Sequence, residues 1–229
     1  MTDQPTGSTM GLDRYNVFPN IENCLNTTLR EWLYFHNVMH RHYTTYLGHK
    51  VLKPPFDWIV LGDILHDTKP AVVIEIGTFE GGTALWMAHQ LELMGSSARV
   101  IGVDITDRAK RRISHPRIDW IVGDCLDPAV IAAVRERCDG QQGLVIEDSD
   151  HKYHITRGIL AAYAPFVAVG SYFIVEDTIV EFLNLPPMPG PLRAVHEFVE
   201  ANVGRFVIDR SREKYVLTYN PMGYLLRVA

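Results

Sequence analysis

Residues 71–104 read AVVIEIGTFEGGTALWMAHQLELMGSSARVIGVD, and the fold is decided in this stretch. Two apolar, β-branched runs, Ala71–Ile76 and Arg99–Asp104, flank a segment in which Ala84, Ala88 and Leu91 fall on one helical face. Apolar strands on either side of an amphipathic helix signal a βαβ unit, with parallel strands buried on both faces. Between strand and helix stands Glu75-Ile76-Gly77-Thr78-Phe79-Glu80-Gly81-Gly82-Thr83. Gly77 lets the backbone turn sharply, and Gly81 and Gly82 lead into a helix start whose free N–H groups face a ligand.

The alternation continues outward from this unit. Arg117–Val122, Leu144–Asp148 and Tyr172–Glu176 are further strand-like runs. Asp127-Pro128 forms an N-cap and first turn, followed by Val130, Ile131 and Val134 on the apolar side. Ile155, Ile159, Ala162, Tyr163 and Phe166 repeat the helical spacing after the fourth strand. The pattern predicts an α/β fold with a doubly wound, Rossmann-like, mostly parallel sheet. Arg205–Arg210, Lys214–Tyr219 and Tyr224–Val228 lie too close together for helical crossovers, and predict antiparallel strands at the C-terminal edge. Upstream, from about Ile21 to Lys69, the chain is rich in aromatic residues and broken by Lys53-Pro54-Pro55; two or three helices are expected. The expected organisation is one domain over 1–229, with a helical cap or lid over 1–69 and an α/β core over 70–229.

Composition narrows the function. Apolar residues make up 47% of the 229, which excludes a disordered or fibrous chain. With 22 basic and 27 acidic side chains, the net charge of −5 gives no footprint for nucleic acid or an anionic membrane. Cys24, Cys125 and Cys138 are odd in number and lack CxxC spacing, which argues against a disulfide framework or structural zinc and for a reducing, cytoplasmic setting. Met1–Asn16 has no apolar core for a signal peptide, and the most hydrophobic stretch, Gly158–Val175, is interrupted by Pro165, Gly170 and Ser171. No membrane insertion is expected. The apolar N-terminal region suggests a homo-oligomer.

Ligands of open α/β sheets bind beyond the carboxyl ends of the strands. A dinucleotide fingerprint needs glycine where Phe79 stands, so the ExGxxxG form suits S-adenosylmethionine better than NAD. Glu75, Gly77, Thr78, Phe79, Gly81 and Thr83 are the candidate cofactor contacts at the first strand end. Asp104 is placed to accept from ribose hydroxyls. Asp124 either addresses the adenine edge or acts as an N-cap. Strands four and five run into Glu147-Asp148-Ser149-Asp150-His151 and Glu176-Asp177. So many carboxylates repel unless something positive sits among them, and a divalent cation such as Mg²⁺ would meet that need. If Asp148 is a ligand, His151 stands where it can take a proton from an activated hydroxyl. An NAD-dependent oxidoreductase and a noncatalytic accessory protein are the rival readings.

With these residues assembled, the chain resembles the family that groups cephalosporin hydroxylase proteins with rhamnosyl O-methyltransferases. The resemblance rests on Pro55-Phe56-Asp57-Trp58, Val73–Thr78, Gly81–Ala84, Gly102–Ile105, Asp148–His151, Tyr172–Asp177 and Tyr219–Tyr224. It implies a class I methyltransferase sheet and transfer from S-adenosylmethionine to a hydroxyl of a sugar or glycosylated metabolite, a rhamnoside, mannoside or deoxysugar. It also implies Mg²⁺ ligands at Asp148, Glu176 and Asp177, His151 as the base, and Asp148 among the cofactor contacts. Asp150 is a rival for the first ligand position. The Pro186–Pro191 loop and the aromatic N-terminal region are expected to wall the acceptor pocket.

Overall fold

The apolar runs align as the sequence predicts. A computed structural model describes residues 25–186 and 188–229, and the side chains of residues 37–43 lie outside the description. Cys24, the polar N-terminal stretch and Pro187 are outside it too.

In chain order the elements are α1 (Leu29–Tyr43), β1 (Thr45–Tyr46), β2 (His49–Lys50), α2 (Pro55–Thr68), β3 (Val72–Ile76), α3 (Gly82–Leu93), β4 (Arg99–Asp104) and α4 (Arg108–Arg112). They continue with β5 (Ile118–Val122), α5 (Pro128–Cys138), β6 (Leu144–Glu147), α6 (Tyr153–Tyr163), β7 (Tyr172–Val175) and α7 (Ile179–Leu183). The last are α8 (Pro191–Ala201), β8 (Phe206–Ile208) and β9 (Tyr224–Arg227). Seven strands form one sheet in the order β5-β4-β3-β6-β7-β9-β8. The first five are parallel; β9 pairs antiparallel with both β7 and β8. The order reverses between β3 and β6, and a topological switch of this kind opens a crevice above the strand ends.

Strand periodicity sorts the core into two layers. Val72, Ile74 and Ile76 face one side with Val130, Val134, Ile159, Tyr163 and Val195 from α5, α6 and α8. Val73, Val100 and Ile146 face the other, against Ile64 and Leu65 of α2 and Ala84, Ala88 and Leu91 of α3. Each fully buried aliphatic side chain contributes roughly 1.5–3 kcal/mol. Asp127 caps α5, its carboxylate accepting from Ala129 N at 2.8 Å with Pro128 in the first turn.

Two details differ from the expectation. Residues 45–50 make a short hairpin whose turn, Leu47-Gly48, has φ of 48° and 84° at the two positions. Lys214–Tyr219 is not a strand. A 3₁₀ turn at Arg210–Glu213 precedes it, and the Tyr219 backbone N–H, instead of entering a ladder, donates to the buried Asp57 carboxylate, as does Thr218 Oγ1. No helix among the described residues is long and apolar enough to cross a membrane.

Candidate functional site

Above the β3–β6 switch lie two cavities that share Gly77, Ser149 and Asp150. The larger, of about 590 Å³, is bordered by Thr78, Thr83, Asp148, His151 and Asp177, with Tyr34, Leu52, Leu185 and Tyr219 on its far wall. The smaller, of about 370 Å³, runs over Val103, Asp104, Gly123, Asp124 and Ile155. The Gly77 turn is the threshold between them. Its φ is 89°, and a Cβ there would stand 2.0 Å from the Asp148 carbonyl oxygen, so only glycine lets β3 pass beneath the β6 loop.

Of the candidate cofactor contacts, Gly77, Thr78, Phe79, Thr83 and Asp148 all border the larger cavity. Gly81 stands behind it with φ of 80° as the N-cap of α3. Thr78 Oγ1 is buried without a hydrogen-bond partner. Glu75 lies below the turn, 1% exposed, with Oε2 also unpartnered; burial pushes its carboxyl up to about 8. Asp104 and Asp124 border the smaller cavity. Asp104 already accepts from Phe79 N at 2.8 Å and from Thr106 N at 2.7 Å, which fixes its orientation. Asp124 closes a local turn, its carboxylate accepting from Leu126 N at 2.9 Å, while the helix cap falls to Asp127. The neighbouring Cys125 and the distant Cys138 are free thiols; burial raises Cys125 to about 12, which removes it as a nucleophile.

The acidic residues divide into two groups. Ligand atoms of Asp148, His151 and Asp177 lie within 4.8 Å of one another, and His151 Nε2 is 3.2 Å from Asp177 Oδ2. His151 and Asp177 have φ of 51° and 55°, and Phe79 has φ of 51°. Three non-glycine residues in the left-handed region around one cavity mark strain of the kind that gathers at functional sites. Burial opposes charge on His151, yet Asp177, Asp148 and Glu147 outweigh it and raise the imidazole above its ordinary value. Its Nδ1 is buried and unpartnered on the inner side. Asp150 is exposed and paired with Lys152 at 2.5 Å, so the loop presents Asp148 rather than Asp150 to this group.

Glu176 lies apart, buried in the wall, with Oε2 2.5 Å from Lys53 Nζ. The same ammonium is 2.5 Å from Asp148 Oδ2 and is itself 1% exposed. Burial works against the Lys53 charge, but Asp148, Glu176 and Glu75 outweigh it and raise its pKa. The carboxylate excess therefore has an internal cation that sequence reasoning missed, having looked only to an external one. Glu147 is also fully buried; burial raises it to about 7, and Ser149 Oγ donates to it.

A second set of hydrogen bonds holds Asp177. Its N–H donates to Asn220 Oδ1 at 3.0 Å, and Asn220 N donates to Thr218 Oγ1 at 3.0 Å. Asp57, 4% exposed in the first turn of α2, accepts from Thr218 Oγ1 at 2.6 Å, Tyr219 N at 2.9 Å and Tyr224 Oη at 3.2 Å. The start of α2 thus reaches the site twice, through Lys53 and through Asp57.

A separate surface group, His89, Glu92 and His115, also brings ligand atoms within 4.8 Å. Arg117 N donates to His115 Nδ1 at 3.2 Å, and His115 Nε2 stands 3.8 Å from Glu92 Oε2. His89 Nδ1 in turn pairs with Tyr46 Oη at 2.8 Å.

Known proteins match this architecture and these motifs. Residues 38–228 match the family described as rhamnosyl O-methyltransferase/CmcI. A rhamnosyl O-methyltransferase of Mycobacterium leprae is 30% identical over 195 residues, covering 80% of this chain and 83% of the relative. One from Mycobacterium tuberculosis strain H37Rv is 28% identical over 191 residues, covering 80% and 78%. Among solved structures, a CmcI complex with Mg and SAM superposes with a TM-score of 0.64 at 22% identity, over 100% of this chain and 88% of that one. The TDP-rhamnose 3′-O-methyltransferase CalS11 superposes at 0.53 with 17% identity, over 99% and 96%. At those identities the superpositions establish the shared fold. The chain belongs to the rhamnosyl O-methyltransferase/CmcI family.

Proposed function

We propose that the protein moves the methyl group of S-adenosylmethionine to a hydroxyl of a sugar or glycoside, with Mg²⁺ held at the strand ends. The observation that carries this reading is the convergence of Asp148, His151 and Asp177 on one wall of the larger cavity, next to the Gly77 turn. Carboxylate oxygens are the donors a hard cation prefers, so the residues present fit the ion. Asp148 and Asp177 would hold it, with Glu176 as the third acid through the oxygen that Lys53 leaves. When bound, such an ion orients sugar oxygens and makes a hydroxyl more acidic.

This chain's own residues supply the rest. The smaller cavity would seat the nucleoside, with the Asp104 carboxylate at the ribose and Asp124 toward the adenine. The Gly77–Thr83 turn would seat the methionyl part, with Gly81 keeping the start of α3 open; Glu75, expected as a contact, is buried beneath the turn and borders neither cavity. His151 would accept the hydroxyl proton. The oxygen then bonds to the methyl carbon as the carbon–sulfur bond breaks, and S-adenosylhomocysteine leaves. Holding oxygen, carbon and sulfur in line supplies much of the rate. Tyr34, Leu52, Leu185 and Tyr219 offer apolar and aromatic surface to a sugar ring. In this reading the N-terminal segment and the loop after α7 are walls of the acceptor pocket.

The test uses S-adenosylmethionine with a neutral rhamnoside. Turnover should stop in EDTA, return with Mg²⁺, and fall at least about 100-fold in His151→Ala while S-adenosylhomocysteine binding holds. Full turnover in chelator would refute the metal reading.

A further inference from the structure

Among the described residues, Lys53 is the one outside the strand ends that reaches two of the acids directly. It precedes Pro54 and Pro55, and Pro54 is extended (φ −67°, ψ 149°) immediately before α2. The segment is fixed on its other side as well. Val51 N donates to Thr44 O at 3.0 Å, and a Cβ on Gly82 would stand 2.4 Å from the Lys50 carbonyl, so β2 is pressed onto the start of α3. From this rigid base a fully buried ammonium is inserted between carboxylates that arrive on the adjacent strands β6 and β7. Burying a cation costs several kcal/mol unless its partners are well placed, so such a residue is retained for what it holds.

We propose that Lys53 is a positioning residue for the metal ligands, clamping Asp148 and Glu176 by one oxygen each so that their remaining oxygens present a fixed bite to a divalent ion. The inference rests on the metal reading above. Two effects of Lys53 on such an ion oppose each other. As a charge it repels the ion, and its removal would tighten binding. As a clamp it stops Asp148 and Glu176 from turning away from one another, and its removal would loosen binding. The clamp dominates here because two carboxylates at 2.5 Å already cancel the ammonium charge as felt from the cavity. Residues that orient metal ligands typically contribute 10–100-fold in metal affinity.

The experiment is Mn²⁺ binding to the full chain saturated with S-adenosylhomocysteine, read by loss of the free Mn²⁺ electron paramagnetic resonance signal. Lys53→Met should weaken binding about 10-fold or more while leaving S-adenosylhomocysteine affinity within a few fold. Unchanged or tighter Mn²⁺ binding would overturn the clamp. If Lys53→Met does not yield folded protein, Lys53→Arg decides: it keeps the charge but replaces a point cation with a planar fork. Weakened binding by Lys53→Arg supports the clamp, and wild-type binding refutes it. Absence of Mn²⁺ binding by the wild-type chain would remove the metal reading itself, and the inference with it.

Discussion

Replacing Asp57 tests how the site is held from behind. Its carboxylate accepts three hydrogen bonds, from Thr218 Oγ1, Tyr219 N and Tyr224 Oη, in a setting only 4% exposed. Asp57→Ala strands all three donors. A buried unsatisfied donor costs about 1–3 kcal/mol, and the two hydroxyls can rotate to partial partners while the Tyr219 N–H cannot. A loss of about 3–5 kcal/mol follows. At about 2–4 °C per kcal/mol for a chain of this size, the melting temperature should fall by roughly 10 °C. Asp57→Asn keeps one acceptor oxygen and should lose about half as much. Thermal unfolding by circular dichroism at pH 7.5 measures both. Asp57→Asn should also weaken Mn²⁺ binding, because Thr218 leads through Asn220 to the Asp177 backbone. A loss below about 1 kcal/mol in Asp57→Ala would refute the idea that this carboxylate organises residues 218–224.

Gly77→Ala should abolish detectable S-adenosylhomocysteine binding by isothermal titration, since the new Cβ meets the Asp148 carbonyl at 2.0 Å with φ at 89°; binding within threefold of wild type would show that the β6 loop gives way. Stability of the metal-free protein should fall as pH rises. Asp57, Glu147 and Glu75 are raised by burial to about 6, 7 and 8, above ordinary carboxylate values of 3.8–4.5, so the folded chain binds more protons than the unfolded one. Their ionisation between about pH 4 and 8 therefore costs stability. Melting temperatures in EDTA at pH 5 and pH 8 check the sign, and a higher value at pH 8 would contradict it.

The parallel core was legible because each strand is a short β-branched run bounded by a turn, and the ends of β4 and the caps of α5 fall where the residues indicate. The Gly77 turn and the Asp148, His151 and Asp177 group were legible for the same reason: parallel topology brings strand ends together whatever their separation in the chain. Lys53 was not. It lies 95 residues from Asp148 and 123 from Glu176, and nothing periodic links them. The surplus of carboxylates at the strand ends was its trace, since several acids crowded together repel unless a cation sits among them. Lys214–Tyr219 reads as a strand because its side chains favour one, but that preference is weaker than the demand of a buried Asp57 for donors. The β1–β2 hairpin was hidden by Leu47, a residue that seldom takes positive φ.

The placement of β9 between β7 and β8 bears on how the molecule comes into being. Residues 218–227 follow in the chain every element they bind: the acceptor on α2, the backbone of Asp177, and both flanking strands. During synthesis the five parallel strands emerge first, while β7 waits with an unpaired rim and Asp57 with an unanswered charge. The hydrogen bonds that hold Asp177 and Asp57 from behind are thus the last to form, and a nascent chain that stops before residue 218 lacks them.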